Sequence, residues 1–452
     1  MTNSQHFDEG NMPATIRRAM TSTVGRREFL LGAAAIGSIA ALTACSAPLG
    51  SGEPSIGASA GGFAMASVPT LTNEYFTLWK IGGTEAAKAL GLDYRMQSYE
   101  GSAATQINQL RAAGAAGASQ VVTFPINNDA VRRMGEILAG QNISMATSFA
   151  ATPWMVPSEP GFDNMYSTLF TPRTVLGQKA LSVAVFKAIG GSGNVVYIQG
   201  APTNRTSSAS EKGFDLAVAE FPGITVLAKQ NGNENGQDTR PVVQAMLSRF
   251  GNIDAIICHN SSSALGAVSV LEEKGNDHIK VGGTDEHAAI LDKLIQGPNV
   301  VAVHSLFGTW LGGYMVVRNY DLANGIEYDP VEEMIFQDSL ILDTRESAEE
   351  YKKIASASTS GFDWKNMSRH LNPDSWDTQV ALAPMDPTAF FEGDLDTPRP
   401  TGFSYPEPLQ KSLDDGGIAK YTELYAQHAK TNPYAAAIAL TTTGTTVFGS
   451  LK

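Results

Sequence analysis

Residues 255–285 read AIICHNSSSALGAVSVLEEKGNDHIKVGGTD. The apolar run 255–258 predicts a buried strand, residues 263–274 predict a helix, and residues 280–283 predict a second strand. A helix between two short apolar strands is typical of a βαβ unit in a parallel sheet. The stretch therefore predicts an α/β fold.

The same alternation of short apolar runs and amphipathic stretches extends on both sides of this unit. Predicted strands lie near residues 64–68, 93–97, 120–124, 144–147, 165–169, 194–198, 224–228, 255–258, 280–283 and 300–304. Predicted helices include 76–90, 103–113, 175–189, 207–220, 239–249 and 263–274. Two doubly wound sets in succession place a ligand crevice where the carboxyl ends of their strands face each other.

Length and composition limit the classes of protein that this chain can represent. Its 452 residues suit two lobes with additional material, and a hydrophobic content of 43% with only two cysteines indicates a core that needs no disulfide framework. The net charge of -13 argues against a nucleic-acid partner, because phosphate binding needs a concentrated basic face.

The N-terminal residues resemble two export signals in succession. Arg26 and Arg27 precede the apolar run 30–42, an arrangement similar to a twin-arginine signal, and residues 42–45 (LTAC) resemble a lipobox whose Cys45 takes the lipid. We expect a signal peptide over 1–44, a flexible tether over 45–62, and a chain that is lipid-anchored on the extracytoplasmic face of the cell membrane. An uncleaved hydrophobic anchor is the alternative.

Several motifs resemble those of ribose-type periplasmic binding proteins, the type I family of ABC-transporter substrate-binding proteins. Residues 260–267 (NSSSALGA) are similar to the family's Asn-Asp-x-x-Ala-x-Gly-Ala motif, and residues 281–285 (VGGTD) resemble its Val-Gly-x-Asp turn. Weaker likenesses lie at 70–76, 175–177 and 213–214, so the resemblance runs from about residue 64 to 344.

The resemblance implies two lobes that are joined by three crossing segments and close around a ligand. We expect a first lobe from 63–172 plus 306–335, a second lobe from 173–305 plus 336–345, and a C-terminal extension, residues 346–452. That extension could wrap the lobes, extend the rim of the crevice, or contact a permease. The expected partners are a membrane permease and its ATPase, and the expected state is a monomer.

The resemblance also implies which residues contact the ligand. In the first lobe, Asn73 would bond a hydroxyl, and Tyr75 and Phe76 would cover the apolar face of a sugar. In the second lobe, Asn260 and Asp285 match family contacts. A helix cap is the structural alternative for Asn73 and Asp285, and helix packing is the alternative for the two aromatic residues.

Other positions depart from the family pattern and leave the ligand open. Ser261, which is also expected to contact the ligand, stands where the family has Asp, and Ser148 and Phe149 replace an Asp-Arg pair. Arg173 and Arg205 could offer forked donors to an anionic ligand, or could form ion pairs instead. His304, before the second crossing, could contact the ligand or only pack the hinge. We therefore expect a sugar, a polyol or a sugar-derived acid.

No catalytic, metal or cofactor site is expected from the sequence. The run 231–236 imitates the start of a calcium loop, but Val242 stands where a bidentate Glu is needed, so a surface turn is predicted. His259 is predicted to be strand-end structure. The leading hypothesis is a non-catalytic binding protein of an ABC importer. The alternatives are an exported carbohydrate-active enzyme, whose carboxylate pair sequence alone does not exclude, and a sensory binding protein for a membrane receptor.

Overall fold

The computed structural model describes residues 62–202 and 205–446. The predicted signal peptide, Cys45 and most of the tether therefore lie outside the described residues. Of Arg205 the structure describes the backbone and not the side chain. Within the described ranges, no helix has both the length and the apolar character that crossing a membrane requires.

The strands alternate with helices along the chain, as the sequence predicts. In chain order the strands are β1 (Phe63–Val68), β2 (Asp93–Ser98), β3 (Ala118–Thr123), β4 (Ser144–Ser148), β5 (Tyr166–Pro172), β6 (Ser192–Gln199), β7 (Gly223–Asn231), β8 (Ala255–Cys258), β9 (Lys280–Thr284), β10 (Val300–Ser305), β11 (Met334–Gln337), β12 (Leu340–Leu342), β13 (Leu382–Pro384) and β14 (Gly444–Thr445).

Helices follow most of the parallel strands. They are α1 (Glu74–Ala89), α2 (Ala103–Ala112), α3 (Ala130–Ala139), α4 (Thr174–Ala188), α5 (Arg205–Glu220), α6 (Gly236–Arg249), α7 (Ser261–Lys274), α8 (Ala288–Gln296), α9 (Gly308–Ala323), α10 (Arg345–Ala355), α11 (Trp364–Met367), α12 (Glu407–Asp414), α13 (Gly417–Gln427) and α14 (Ala435–Ala439). Short 3-10 turns lie at Pro160–Phe162 and Pro330–Glu333, and a π-helical turn at Ala389–Asp394.

The strands form two seven-stranded sheets, one in each lobe. Their orders are β13-β11-β5-β4-β3-β1-β2 and β14-β12-β10-β9-β8-β6-β7. The pairs are parallel except at one edge of each sheet, where β13 pairs with β11, and where β12 pairs with both β10 and β14. Both sheets are doubly wound, which confirms the predicted fold class and places a crevice at the strands' carboxyl ends.

Three short segments join the lobes. They are residue 173 between β5 and α4, residues 306–307 between β10 and α9, and residues 338–339 between β11 and β12. The first sheet includes β11, so Phe336 and Gln337 belong to the first lobe. The sequence-based boundary, which assigns them to the second lobe, is wrong at these two residues. The observed boundary differs from the predicted one because β11 pairs with β5 along its full length, up to Gln337 opposite Pro172.

The C-terminal extension is built into both lobes. Its strand β13 adds to the first sheet and its strand β14 adds to the second. Thr446, just after β14, donates its backbone N–H to Asp338 Oδ1 in the third crossing segment. The extension is therefore part of the sheets and of the hinge region.

Helix α1, which carries the predicted first-lobe contacts, is held against α9 at very short range. A Cβ atom added to Gly82 would lie 1.8 Å from the carbonyl oxygen of Thr309, and one added to Gly312 would lie 2.5 Å from Cα of Trp79. Only glycine permits so close an approach of two backbones. This contact fixes α1, and with it the start of the helix, relative to the crossing segment before α9.

Candidate ligand-binding cleft

A cavity of about 300 Å³ lies between the two lobes. Its lining comes from the ends of strands and the starts of helices in both sheets, as expected for doubly wound lobes. Six of the predicted site residues line it: Asn73, Tyr75, Phe76, Asn260, Asp285 and His304. The structure therefore brings together residues that are up to 231 positions apart in the sequence.

The first-lobe contacts sit at the start of α1. Asn73 caps this helix, because its side-chain oxygen accepts a hydrogen bond from the backbone N–H of Tyr75 at 2.8 Å. Tyr75 and Phe76 follow directly and are buried. The cap explains the local fold and uses the Asn73 oxygen, so what this residue can still offer to the cavity is its amide N–H groups.

Two further aromatic residues complete the first-lobe wall, and the sequence had not singled them out as ligand contacts. The Phe124 ring lies 5.5 Å from Phe76 and 5.4 Å from Phe149 between ring centroids. Phe149 adopts φ 64°, a left-handed conformation that a bulky residue rarely takes. The first-lobe wall is therefore an aromatic surface, part of which is held in a strained backbone conformation.

The second-lobe wall begins with Asn260, which caps α7. Its side-chain oxygen accepts from the Ser263 N–H at 3.0 Å, and its amide donates to the Glu234 carbonyl at 2.9 Å. One N–H of the amide remains uncommitted by these two bonds. Glu234 lines the cavity as well, so the run 231–236, predicted to be a surface turn, contributes to the cleft.

His259 lies beside Glu234 on this wall. Its Nε2 is 3.7 Å from Glu234 Oε1, and its buried Nδ1 has no hydrogen-bond partner among the described residues. Burial lowers the pKa of the His259 ring, although the carboxylate of Glu234 opposes that shift. His259 follows the end of β8, as the sequence predicts, and it also lines the cavity.

Asp285 follows β9 in the turn that the sequence singled out. It adopts φ 89°, an unfavourable conformation for a non-glycine residue. Burial raises the pKa of its carboxyl group well above the usual range, and the charges of Glu286 and Glu234 raise it further. A carboxyl group held in this way is costly unless it binds something, which is the pattern of a functional site.

Ser261 supports this turn and does not line the cavity. Its side chain is fully buried, and its hydroxyl donates to the backbone carbonyl of Asp285. The predicted ligand contact of Ser261 is corrected accordingly: at the first position of α7 its short side chain bonds to the neighbouring turn.

His304 lies deep in the cleft at the end of β10. Its Nε2 is 2.8 Å from Ser339 Oγ in the third crossing segment, and its Nδ1 is 3.4 Å from Thr284 Oγ1. Burial lowers the pKa of His304 to about 3. The ring therefore combines a place in the cavity lining with packing at the hinge.

Arg173 and Arg205 are the two arginines that the sequence offers as donors to an anionic ligand. Arg173 does not line the cavity; its guanidinium lies 5.4 Å from the centroid of the Phe336 ring, on the side of the π-helical turn that contains Asp394. Its described neighbours are thus Phe336 of β11 and Asp394 of the C-terminal extension and not the cavity lining, which corrects the prediction. The side chain of Arg205 lies outside the described residues.

Several lining residues were missed as contacts because their positions depend on tertiary structure. His259 and Thr284 stand at the carboxyl ends of β8 and β9, so the strand-end rule could have found them. Gln178, on α4, carries no such signal. Within the described ranges, no group of three His, Cys, Asp or Glu side chains is placed to hold a metal ion.

A family model described as a periplasmic binding protein domain matches residues 64–315. The chain belongs to the periplasmic binding protein family. Proteins of this family bind solutes for ABC importers and are not enzymes, which confirms the expected class of protein and removes the exported enzyme as an alternative.

Two relatives of this chain are named for the polyhydroxylated solutes that they bind. A xylitol-binding protein of Mycolicibacterium smegmatis is 23% identical over 56% of this chain and 68% of its own. A ribose import binding protein of Escherichia coli is 26% identical over 48% of this chain and 70% of its own. These identities support a common family and leave the particular ligand open.

Solved structures share the fold. A twin-arginine translocation pathway signal protein from Burkholderia phytofirmans superposes with a TM-score of 0.62 and 24% identity, covering 68% of this chain and 96% of its own. An ABC transporter periplasmic solute-binding protein from Actinobacillus succinogenes, with bound D-allose, gives 0.59 and 20% identity over 64% and 100%. The fold is therefore that of type I periplasmic binding proteins.

Proposed function

We propose that this solute-binding protein captures a neutral sugar or polyol in the cleft, holds it by closing the two lobes, and delivers it to an ABC permease. One observation carries the proposal: the cavity has an aromatic wall from one lobe and a hydrogen-bonding wall from the other. Sugars present an apolar face and a polar edge, which these two walls complement. Closure would stabilise the complex because the ligand then contacts both walls.

The charge of the described lining favours a neutral ligand. Glu234 and Asp285 contribute carboxyl groups, and no lysine or arginine is among the described lining side chains. A sugar acid would bring its carboxylate toward Glu234 and toward Asp285, a carboxyl group whose raised pKa shows that this environment already disfavours negative charge, so its binding costs free energy. This favours a sugar or polyol over the sugar-derived acid that the sequence left open.

The size of the cavity supports one small molecule. A volume of about 300 Å³ lies at the lower end of the usual range for small-molecule pockets, roughly 300–1,000 Å³. We infer that the cleft takes a single ring or a short polyol.

The proposed roles of the lining residues follow from what each has left to offer. Phe76 and Tyr75 would cover the apolar face of the ligand, and Asp285 would accept hydrogen bonds from its hydroxyls. Asn73 and Asn260, whose oxygens are used in helix caps, would donate their remaining amide N–H groups.

Export and anchoring remain proposals that rest on the N-terminal sequence. We propose that residues 1–44 are removed as a twin-arginine lipoprotein signal, that Cys45 carries the lipid, and that residues 45–62 tether a monomeric clamshell to the extracytoplasmic face of the membrane. A tether of this kind would leave the lobes free to close and to meet the permease.

The binding proposal is tested with the mature chain, beginning after Cys45. Thermal unfolding is measured with pentoses, hexoses, polyols, cyclitols and sugar acids, because a ligand that binds only the folded state raises Tm. We expect a neutral compound to raise Tm and mass spectrometry to recover it unchanged. A response confined to sugar acids would contradict the neutral ligand, and a consumed ligand would contradict binding without turnover.

The anchoring proposal is tested by cell fractionation of tagged protein in a bacterium with both export pathways. Cys45→Ser should release the exported protein from the membrane fraction, whereas Arg26→Lys with Arg27→Lys should leave it in the cytoplasm. Cys258→Ala is the matched control, since the Cys258 side chain is buried in β8 and should not affect anchoring. Membrane retention of Cys45→Ser would contradict the lipid anchor.

A further inference from the structure

Gln178 is a buried polar residue of the cleft whose side chain makes no hydrogen bond within the described residues. It lies one turn into α4, is 1% exposed, and lines the cavity. Neither its side-chain oxygen nor its side-chain nitrogen has a hydrogen-bond partner among the described residues. A buried amide with both ends unpaired is uncommon, because each unsatisfied group costs folding free energy.

The packing around Gln178 explains why the protein does not satisfy it. On the adjoining side, α5 approaches so closely that a Cβ atom added to Gly213 would lie 3.0 Å from the Gln178 Cβ. The preceding residue, Gly177, leaves space only for the His304 ring, whose Cε1 would lie 2.2 Å from an added Cβ. Gln178 is also among the residues that line the cavity, so the cavity is open space beside its side chain.

The neighbouring His304 is already committed. His304 uses one ring nitrogen with Ser339 and the other with Thr284. Gln178 differs from His304 in this respect. The side-chain donor and acceptor of Gln178 both remain unpaired and could bind a molecule in the cleft.

We propose that Gln178 determines ligand specificity by binding two adjacent hydroxyl groups of the ligand, one through its carbonyl oxygen and the other through its amide nitrogen. A carboxamide binds a neighbouring donor and acceptor together, as it does at the edge of adenine in DNA. A vicinal diol supplies this pair because each hydroxyl both donates and accepts. A carboxylate supplies only acceptors and an ammonium group only donors, so either would leave one end of Gln178 unpaired. This inference rests on the proposed function and makes its ligand class more specific.

The first measurement needs no ligand. Gln178→Leu removes the unpaired amide, so the Tm of the ligand-free mature chain should stay the same or rise. Gln120→Leu is the matched control, since Gln120 is 3% exposed in β3, has an unpaired side-chain oxygen and does not line the cleft. If Gln178→Leu lowers Tm by several degrees more than the control, Gln178 is structural and the proposal is overturned.

The second measurement is calorimetric titration with D-ribose, D-allose, xylitol and myo-inositol as probes. For a probe that binds the wild-type chain, Gln178→Leu should weaken binding by at least about tenfold, the usual effect of leaving a ligand hydrogen bond unmade, while Gln120→Leu should change it by less than about twofold. Equal binding by wild type and Gln178→Leu would overturn this inference alone. Failure of every probe to bind the wild-type chain would contradict the proposed function as well.

Singly deoxygenated forms of the bound probe test the vicinal diol itself. Removing either of two adjacent hydroxyls should cost the wild-type chain about tenfold in affinity and cost Gln178→Leu little, because the partner of that hydroxyl is already gone. If wild type and Gln178→Leu lose the same affinity for every deoxygenated probe, Gln178 does not bind the diol.

Discussion

The two walls of the cleft differ in how their side chains are satisfied before any ligand arrives. In the first lobe, Tyr75, Phe76, Phe124 and Phe149 pack against one another with ring centroids 5.4 to 6.2 Å apart. One polar group of that wall, the Tyr75 hydroxyl, has no hydrogen-bond partner among the described residues; on the second-lobe wall the His259 Nδ1 and both ends of the Gln178 amide have none.

This difference indicates what each lobe contributes to ligand binding. The aromatic wall is already packed, so it offers a preformed apolar surface and excludes water. The polar wall contains groups whose burial is unfavourable until a ligand satisfies them, so it should supply most of the specificity. Single changes in the polar wall should therefore cost more than single changes in the aromatic wall.

The largest effect on ligand binding is expected for Asp285→Gly. Its φ of 89° suits glycine, so the variant should fold at least as stably as the wild type while losing the carboxyl group. We expect the Kd for a bound sugar or polyol to rise at least about tenfold, since the variant leaves buried ligand hydroxyls without the carboxyl group as a partner, and a buried unpaired polar group costs about 1–3 kcal/mol. Calorimetric titration measures the Kd and thermal unfolding measures the stability.

Asp163→Gly is the control for that experiment. Asp163 is exposed in the first lobe at φ 47°, so glycine relieves a similar backbone conformation far from the polar wall. An unchanged Kd for Asp285→Gly, or an equal rise in the control, would contradict the proposed role of Asp285.

The pH dependence of stability, rather than binding, tests His304 in the polar wall. Its pKa is about 3 when folded and about 6.5 when unfolded, so between these values the unfolded chain binds a proton that the folded chain does not. This group therefore lowers the unfolding free energy by about 1.4 kcal/mol per unit as pH falls through that window.

Denaturant unfolding at pH 4 to 7 checks this with His304→Gln, which can still bond to Ser339. The unfolding free energy of the variant should fall less steeply toward acid than that of the wild type. His278→Gln, at an exposed position, should leave the slope unchanged. Parallel curves for wild type and His304→Gln would show that the ring is not kept neutral by burial.

In the aromatic wall, Phe149→Leu should weaken binding by about two- to tenfold, because an aromatic contact is worth roughly 0.5–1.5 kcal/mol beyond burial. Phe403→Leu, in a separate aromatic cluster around Trp154, should leave the Kd unchanged. A loss larger than that of Asp285→Gly would reverse the proposed division between the walls.

The smallest effect concerns a direct contact between the lobes. Glu74 Oε2 of the first lobe lies 2.7 Å from His287 Nδ1 of the second, and the Glu74 side chain is 54% exposed. His287 is buried, but solvent reaches Glu74 and weakens the contact, so Glu74→Gln should raise the Kd by less than about fivefold. Glu136→Gln, which breaks a pair within α3, should not change it. A hundredfold loss in Glu74→Gln would mean that closure depends on this contact.

Much of the fold could be predicted from the sequence because strand and helix periodicities are local. The errors fall where tertiary contacts decide the boundary. Helix α6 begins at Gly236 rather than near 239, since Asn235 caps it and the run 231–236 had been interpreted as a turn. Residues 336–337 changed lobe because β11 pairs with β5, a contact across about 165 positions that no local pattern records.

The site could be predicted in part. Asn73 and Asp285 lie next to strand or helix ends, where motif resemblance and the strand-end rule agree. Gln178 and Phe149 could not be recognised as lining residues: the first lies within a helix, and the second replaces a family residue of different chemistry. Arg173 was misplaced because the sequence does not tell toward which side of a crossing segment a side chain points.

The most direct test of the two-wall account is a crystal structure of the mature chain with the tightest-binding neutral sugar or polyol. We predict that the apolar face of the ligand lies against Phe76 and Phe149, and that its hydroxyls bond to Asp285 and Gln178. A ligand bound outside the cleft, or one whose hydroxyls turn toward the aromatic wall, would contradict the account.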